Sequence, residues 1–204
     1  MKAKYHREIT VQALSSYFRV EVLEPIISAN LGQDALRYQF GYDHFHYDNN
    51  SFGKGDSYCE DLRHEIIIEL KRANGLAAQQ SFGRLTHTVQ DFYAHSNFVV
   101  LWREFFPDAT PQVIDPDFQA ILRSPNLCSG KLYYPIELFS FVSSLRPYIL
   151  PLLPHDSHAW MNLDDPTQFN FEFAFAAAVK KTELECQRIL RQLSPGESVL
   201  FTGK

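Results

Sequence analysis

With 204 residues, 45% of them hydrophobic and 21% charged, the chain is long enough to bury the core of one soluble domain, so residues 1–204 read as a single unit. Nineteen basic against 24 acidic residues leave a formal charge of −5, which argues against nonspecific nucleic-acid binding; only a nuclease whose metals supply local positive charge escapes that exclusion. No apolar run reaches transmembrane length, and MKAKYHREIT lacks the features of a signal peptide, so a cytoplasmic chain, or one exported by a signal-independent route, is expected.

From His6 to Leu23 the apolar positions Ile9, Leu14, Phe18 and Val22 follow a helical period, and Pro25 suits the opening of a further turn. The stretch DHFHYDNNSFGKGDS, rich in Asn, Gly, Asp and Ser, reads as loop. Leu62, Ile66, Ile67 and Leu70 place a helix over 58–73, with Gly75 as its stop. A long helix is expected over 77–105. Prolines 107, 111, 116 and 125 then divide loop from short helix, and PIELFSFVSSLRPYIL is helical up to about Arg146, before Pro147. A last helix covers 171–193, although Phe169, Phe171, Phe173 and Phe175 alternate as a strand would. Strand signals are otherwise weak, and the fold class is all-α, a multi-helix bundle. Cys59, Cys128 and Cys186 form no CxxC pair and read as reduced thiols.

The chemistry concentrates in RLTHTVQDFYAHSNF, where His87, Asp91 and His95 stand four residues apart. Positions four apart drift by only about 40° around a helix, so the three share one face. A rise of about 1.5 Å per residue separates the two histidines by roughly 12 Å, too far for one ion with ligands near 2 Å. The midway carboxylate has two oxygens, so the spacing suits a bridge: His87 and Asp91 on one ion, His95 on a second, Asp91 reaching between them. The competing reading is a hydrogen-bonded polar face.

LTHTVQDFYAHSNF resembles the hallmark helix of zinc-dependent phospholipase C-like proteins, especially their Het-C branch. YHREIT, HYDNNSF and SHAWMNLDDPTQFNFEFAFAAAVKKT resemble that family's outer segments, in the same order along the chain. The resemblance implies a helical bundle around one to three Zn2+ ions, with His46, His87 and Asp91 on one ion, His6 and Asp91 on another, and His95 on a third. In those proteins a His-x3-Glu pair follows the central motif; here FVVLWREFFPD offers Glu104 and Asp108, so His158, with His155 as its rival, is expected to complete the third ion. His44 rivals His46 in the same way. An upstream aspartate, Asp34 or Asp43, is expected at the His46 ion, either one serving as general base. Asp164 and Asp165 read as turn residues or as partners of a zinc histidine.

The activity implied is phosphodiester hydrolysis of phospholipid headgroups, with peripheral membrane contact, since zinc lowers the pKa of bound water to about 7 and paired ions clamp attacking and leaving oxygens. The alternatives are a catalytically weak recognition or toxin module of the Het-C kind with a structural metal, and a nuclease on the same scaffold. The oligomeric state is not readable from the sequence.

Overall fold

The computed structural model describes residues 1–38, 41–142 and 144–204. Its described residues form helices, 3-10 turns and two isolated bridges, Ser96 with Ser129 and Lys131 with Ser157, and no strand. The expected all-α bundle is what the chain builds.

Helix α1 (Ala3–Leu14) and α2 (Val20–Gly32) replace the single helix expected over 6–23. The break falls at Ser15–Arg19, where the Arg19 N–H turns away to Thr202 O. Helix α3 (Phe52–Lys71) begins six residues earlier than the apolar period suggests. Asn49 and Asn50, both at positive φ, end the preceding loop just before it, as asparagine tolerates that region. Gly55 then sits where a Cβ would come within 2.6 Å of the Tyr47 ring, so a glycine that looked like loop is a packing requirement inside a helix.

The long helix expected over 77–105 divides into α4 (Gly75–His95) and α5 (Phe98–Phe105). Ser96 is extended there, its hydroxyl donating to Phe92 O, and Asn97 is claimed by another segment: its amide donates to Asn126 O and its carbonyl accepts from Cys128 N. Short helices follow: α6 (Gln119–Leu122), α7 (Ile136–Ser140), α8 (Arg146–Ile149) and α9 (His158–Met161). The expected helix running to Arg146 stops at Ser140. Pro147 opens α8 because its missing N–H lies in a first turn, where no acceptor awaits it. Helix α10 (Phe171–Leu190) prevails over the strand-like phenylalanines, burying Phe171 while Phe169 stays in solvent. Helix α11 (Pro195–Thr202) has a capping box on Ser194 and Glu197.

Helix α4 is the axis, packed by α1, α2, α3, α10 and α11. Around its first half lies an apolar cluster that includes Phe18, Ile26, Phe82 and Phe201; around its last turns lies a second, with Ile9, Tyr93, Phe98 and Ala174. Between them runs a buried polar belt, and the site belongs to it. No helix among the described residues is long and apolar enough to cross a membrane.

Candidate metal centre

The four-residue register of α4 carries through. His87 and Asp91 are wholly buried and His95 nearly so. Asp91 divides the cluster between its two oxygens. Oδ2 lies 2.9 Å from His46 Nδ1 and 3.0 Å from His87 Nε2, and Asp34 Oδ1 stands 3.7 Å from that same imidazole nitrogen. Oδ1 faces the other way, 2.6 Å from the Met1 nitrogen, 3.1 Å from His6 Nε2 and 3.8 Å from His95 Nε2. Beyond it, Asp164 Oδ1 is 3.3 Å from His95 Nε2, and Asp48 Oδ1 is 2.9 Å from His158 Nδ1 and 3.5 Å from His95 Nδ1. Two groups of donor atoms converge: Asp34, His46, His87 and Asp91 in one, and Asp48, His95 and His158 in the other, each within 4.8 Å.

The distant contributors are gathered by the segment between α6 and α7. Gly130 N donates to His95 O, and Gly130 O accepts from Asn49 N, so one glycine links the end of α4 to the loop bearing His46 and Asp48. Ser129 and Asn50 reinforce that clip with two further bonds. A Cβ on Gly130 would lie 2.5 Å from His158 Cα, and His158 N donates to Lys131 O. The close approach that glycine permits is what seats His158 against Asp48.

A hydrogen-bond chain fixes the tautomer of His6. Thr86 donates its hydroxyl proton to Gly83 O and therefore accepts from Asn30 Nδ2. Asn30 Nδ2 also donates to Gln90 Oε1, whose amide nitrogen donates to Thr10 and Thr182. Gln90 Oε1 is thus an acceptor, and His6 Nδ1, 2.6 Å away, must donate to it. That leaves His6 Nε2 buried and without a hydrogen-bond partner, 3.1 Å from Asp91 Oδ1.

The carboxylates of the cluster are held in their charged form. Burial pushes Asp91 up, but the Met1 amine and the imidazoles of His95, His87 and His6 outweigh it, holding the carboxyl well below its usual range. Asp48 and Asp164 are held low in the same manner, chiefly by His158 and by the Met1 amine respectively, against the cost of burial. Burial drives His87 down to about 4 despite Asp91, so it is a neutral imidazole. His158 is burdened by burial too, yet Asp48 and Asp164 push it up to about 9. Burial lifts the thiols of Cys59 and Cys186 to about 12, keeping them out of any ligand role.

Of the residues expected at the site, His6, His46, His87, Asp91, His95 and His158 come together, and Asp34 joins them. Asp43 does not: its carboxylate accepts from Asn49 within the loop. His44 packs among the rings of Phe45 and Tyr58, and His155 against Trp160. Asp48 escaped the sequence reading, although it stands two residues after His46 in HYDNN. Asp164, ambiguous in the sequence, lies against His95, whereas Asp165 pairs with Lys2.

The fold and site define an all-helical bundle with a buried histidine–carboxylate cluster. Residues 2–121 match the family model of the VWA7 N-terminal domain, and the chain belongs to that family. It is similar to human von Willebrand factor A domain-containing protein 7, with 31% identity over 87 residues, which is 43% of this chain and 10% of that protein. The chain thus spans about a tenth of that relative's length. No solved structure matches it.

This membership corrects the expected phospholipase C-like, Het-C assignment, because the VWA7 match contains the His87–Asp91–His95 helix itself. It likewise overturns the expected zinc phosphodiester hydrolase, along with the Het-C recognition or toxin module and the nuclease held as its alternatives. The physical reason is that a His-x3-Asp-x3-His register is what any helix needs to present two imidazoles around one carboxylate. The register specifies a ligand arrangement and not a reaction or a lineage.

Proposed function

We propose that the chain is a divalent-metal-binding helical module that holds zinc within its bundle. The observation that carries this is Asp91, wholly buried, with Oδ2 beside His46 and His87 and Oδ1 beside His6. The set Asp34, His46, His87 and Asp91 supplies four donors, the number of a closed tetrahedral zinc site. Asp48, His95 and His158 supply three, which leaves one position for water or another small ligand. Mixed imidazole and carboxylate donors without thiolate favour zinc over soft monovalent copper. The buried, unpartnered His6 Nε2 beside Asp91 Oδ1 supports a ligand role for this imidazole.

The test is elemental analysis of protein purified without chelator. About two zinc ions per chain are expected. Asp34→Asn should lower occupancy of the first set and Asp48→Asn of the second, each by about one ion. Metal no higher in the native chain than in an Asp91→Asn, His87→Ala double variant sinks the reading.

A further inference from the structure

Helix α4 has a second working face. At about 100° per residue, Val89, Phe92 and Tyr93 centre roughly opposite His87, Asp91 and His95. They floor a cleft of about 580 Å3 between α3, the 117–122 segment and α10, within the size range of small-molecule sites. The loop that feeds the metal cluster feeds this cleft too, because Tyr47 points away from its neighbours His46 and Asp48 and into it. Tyr47 is held at φ 56, and only a glycine at 55 leaves room for its ring. A bulky residue kept in the left-handed region by a matched glycine is strain retained at a site.

The lining selects charge. Asp56, Glu60, Asp61 and Asp117 stand at the cleft with two cations, Arg63 and Lys181. Both cations are already committed. Arg63 makes a double bond-pair to buried Glu185 and a third contact to Glu60, while Lys181 bridges Asp117 and Glu185. Asp56 only accepts from the neutral Tyr47 hydroxyl, and Asp61 has no partner among the described residues. An anion would therefore find its countercharges taken. A metal ion would find no convergence, since these carboxylates are absent from the metal-competent groups among the described residues. The floor rings Tyr47, Phe92 and Tyr93 meet edge to face at 5.2 and 5.0 Å. Aromatic rings beneath unneutralised carboxylates suit a cation that also carries apolar surface.

We propose that this cleft binds an organic ammonium ligand with an apolar or aromatic body, its charge held by Asp56 and Asp61 and its body lying on Phe92 and Tyr47. The site is independent of the metal reading, using no ligand residue and a different face of α4.

The experiment titrates the protein, as purified, with 2-phenylethylamine, 2-phenylethanol and 3-phenylpropionate, following amide chemical shifts by NMR. The amine is expected to bind about tenfold tighter than the alcohol, with the anion weaker still. The double variant Asp56→Asn, Asp61→Asn should bring amine and alcohol within about threefold while leaving the thermal midpoint unchanged, because both side chains are exposed. Ser57→Trp, on the exposed rim, should fill the cleft and abolish shifts at Val89 and Phe92 with all three probes. Equal binding of alcohol and amine, tighter binding of the carboxylate, or no saturable shift at those residues overturns the proposal.

Discussion

At position 185 a carboxylate lies wholly inside the bundle, bound twice by Arg63 and approached by Lys181 at 3.3 Å. Burial alone would raise Glu185, but the Arg63 hydrogen bonds and the charge of Lys181 prevail and hold it below its ordinary 4.5. A depressed folded value means that the unfolded chain takes up its proton first as pH falls. The contribution is complete above 4.5 and is lost as pH drops through the lower folded value. Glu185→Gln is expected to flatten the loss of stability below pH 4.5, and at neutral pH to cost about 3 kcal/mol by leaving Arg63 buried beside a neutral amide. Urea unfolding at several pH values measures both, and an unchanged slope below 4.5 would show that other acids dominate. Asp91→Asn acts differently. It removes a donor of the first set whose other oxygen lies 3.8 Å from His95 of the second, so zinc content is expected to fall by more than in Asp34→Asn or Asp48→Asn alone, as elemental analysis would show. Equal losses in all three would deny Asp91 its bridging position.

Between α2 and α4 the decisive feature is the absence of a side chain. A Cβ on Gly83 would lie 2.2 Å from Ile26 O and 2.8 Å from Ala29 Cβ. Gly83→Ala must push the helices apart, and overpacking of this kind costs about 1–3 kcal/mol. The displacement also reaches the site, because Asn30, one turn beyond Ile26, is the donor that fixes Gln90 and through it His6. The variant is expected to unfold at a lower temperature and to bind zinc more weakly in a competition assay against a chromogenic chelator. A midpoint within a degree of the native chain would mean that the helices adjust freely. Contacts of this sort explain what the sequence could and could not disclose. The four-residue register of His87, Asp91 and His95 was legible because helical geometry alone puts the three on one face. His46 and His158 were placed by a resemblance since corrected. Their actual positions depend on Gly130 joining two loops, and no local period records such a meeting. Asp48 was missed for that reason, and Asp43 was over-read because an aspartate in a polar loop accepts from a nearby side chain, here the Asn49 amide, as readily as it meets a distant ion. The break at Ser96–Asn97 was hidden too, since Asn97 leaves the helix to satisfy residues 126–128.

Across the whole molecule, two apolar clusters are separated by a belt of histidines, carboxylates, amides and hydroxyls. The first cluster needs no ion: Phe18, Phe82 and Phe201 pack ring against ring, and Ile26, Leu62 and Ile66 close around them. The segments carrying His46, Asp48 and His158 are short turns, attached to the bundle through the belt, the Gly130 clip and the rings of Phe45 and Tyr47. Bound zinc at a hundred times its dissociation constant would add about 2.7 kcal/mol to global stability, but its removal should be felt unevenly. After chelation, hydrogen exchange is expected to accelerate first over 44–50, 129–131 and 158–162, while the buried amides of α2 and the first half of α4 keep their protection. Mass spectrometry of peptides from native and chelated protein resolves these regions. Acceleration confined to the turns would mean that the ions fasten loops onto a bundle able to stand without them. If instead α2 and α4 lost protection in step with the turns, ion binding and core packing would form one cooperative unit, and the separation into a self-sufficient core and a metal-held periphery would be wrong.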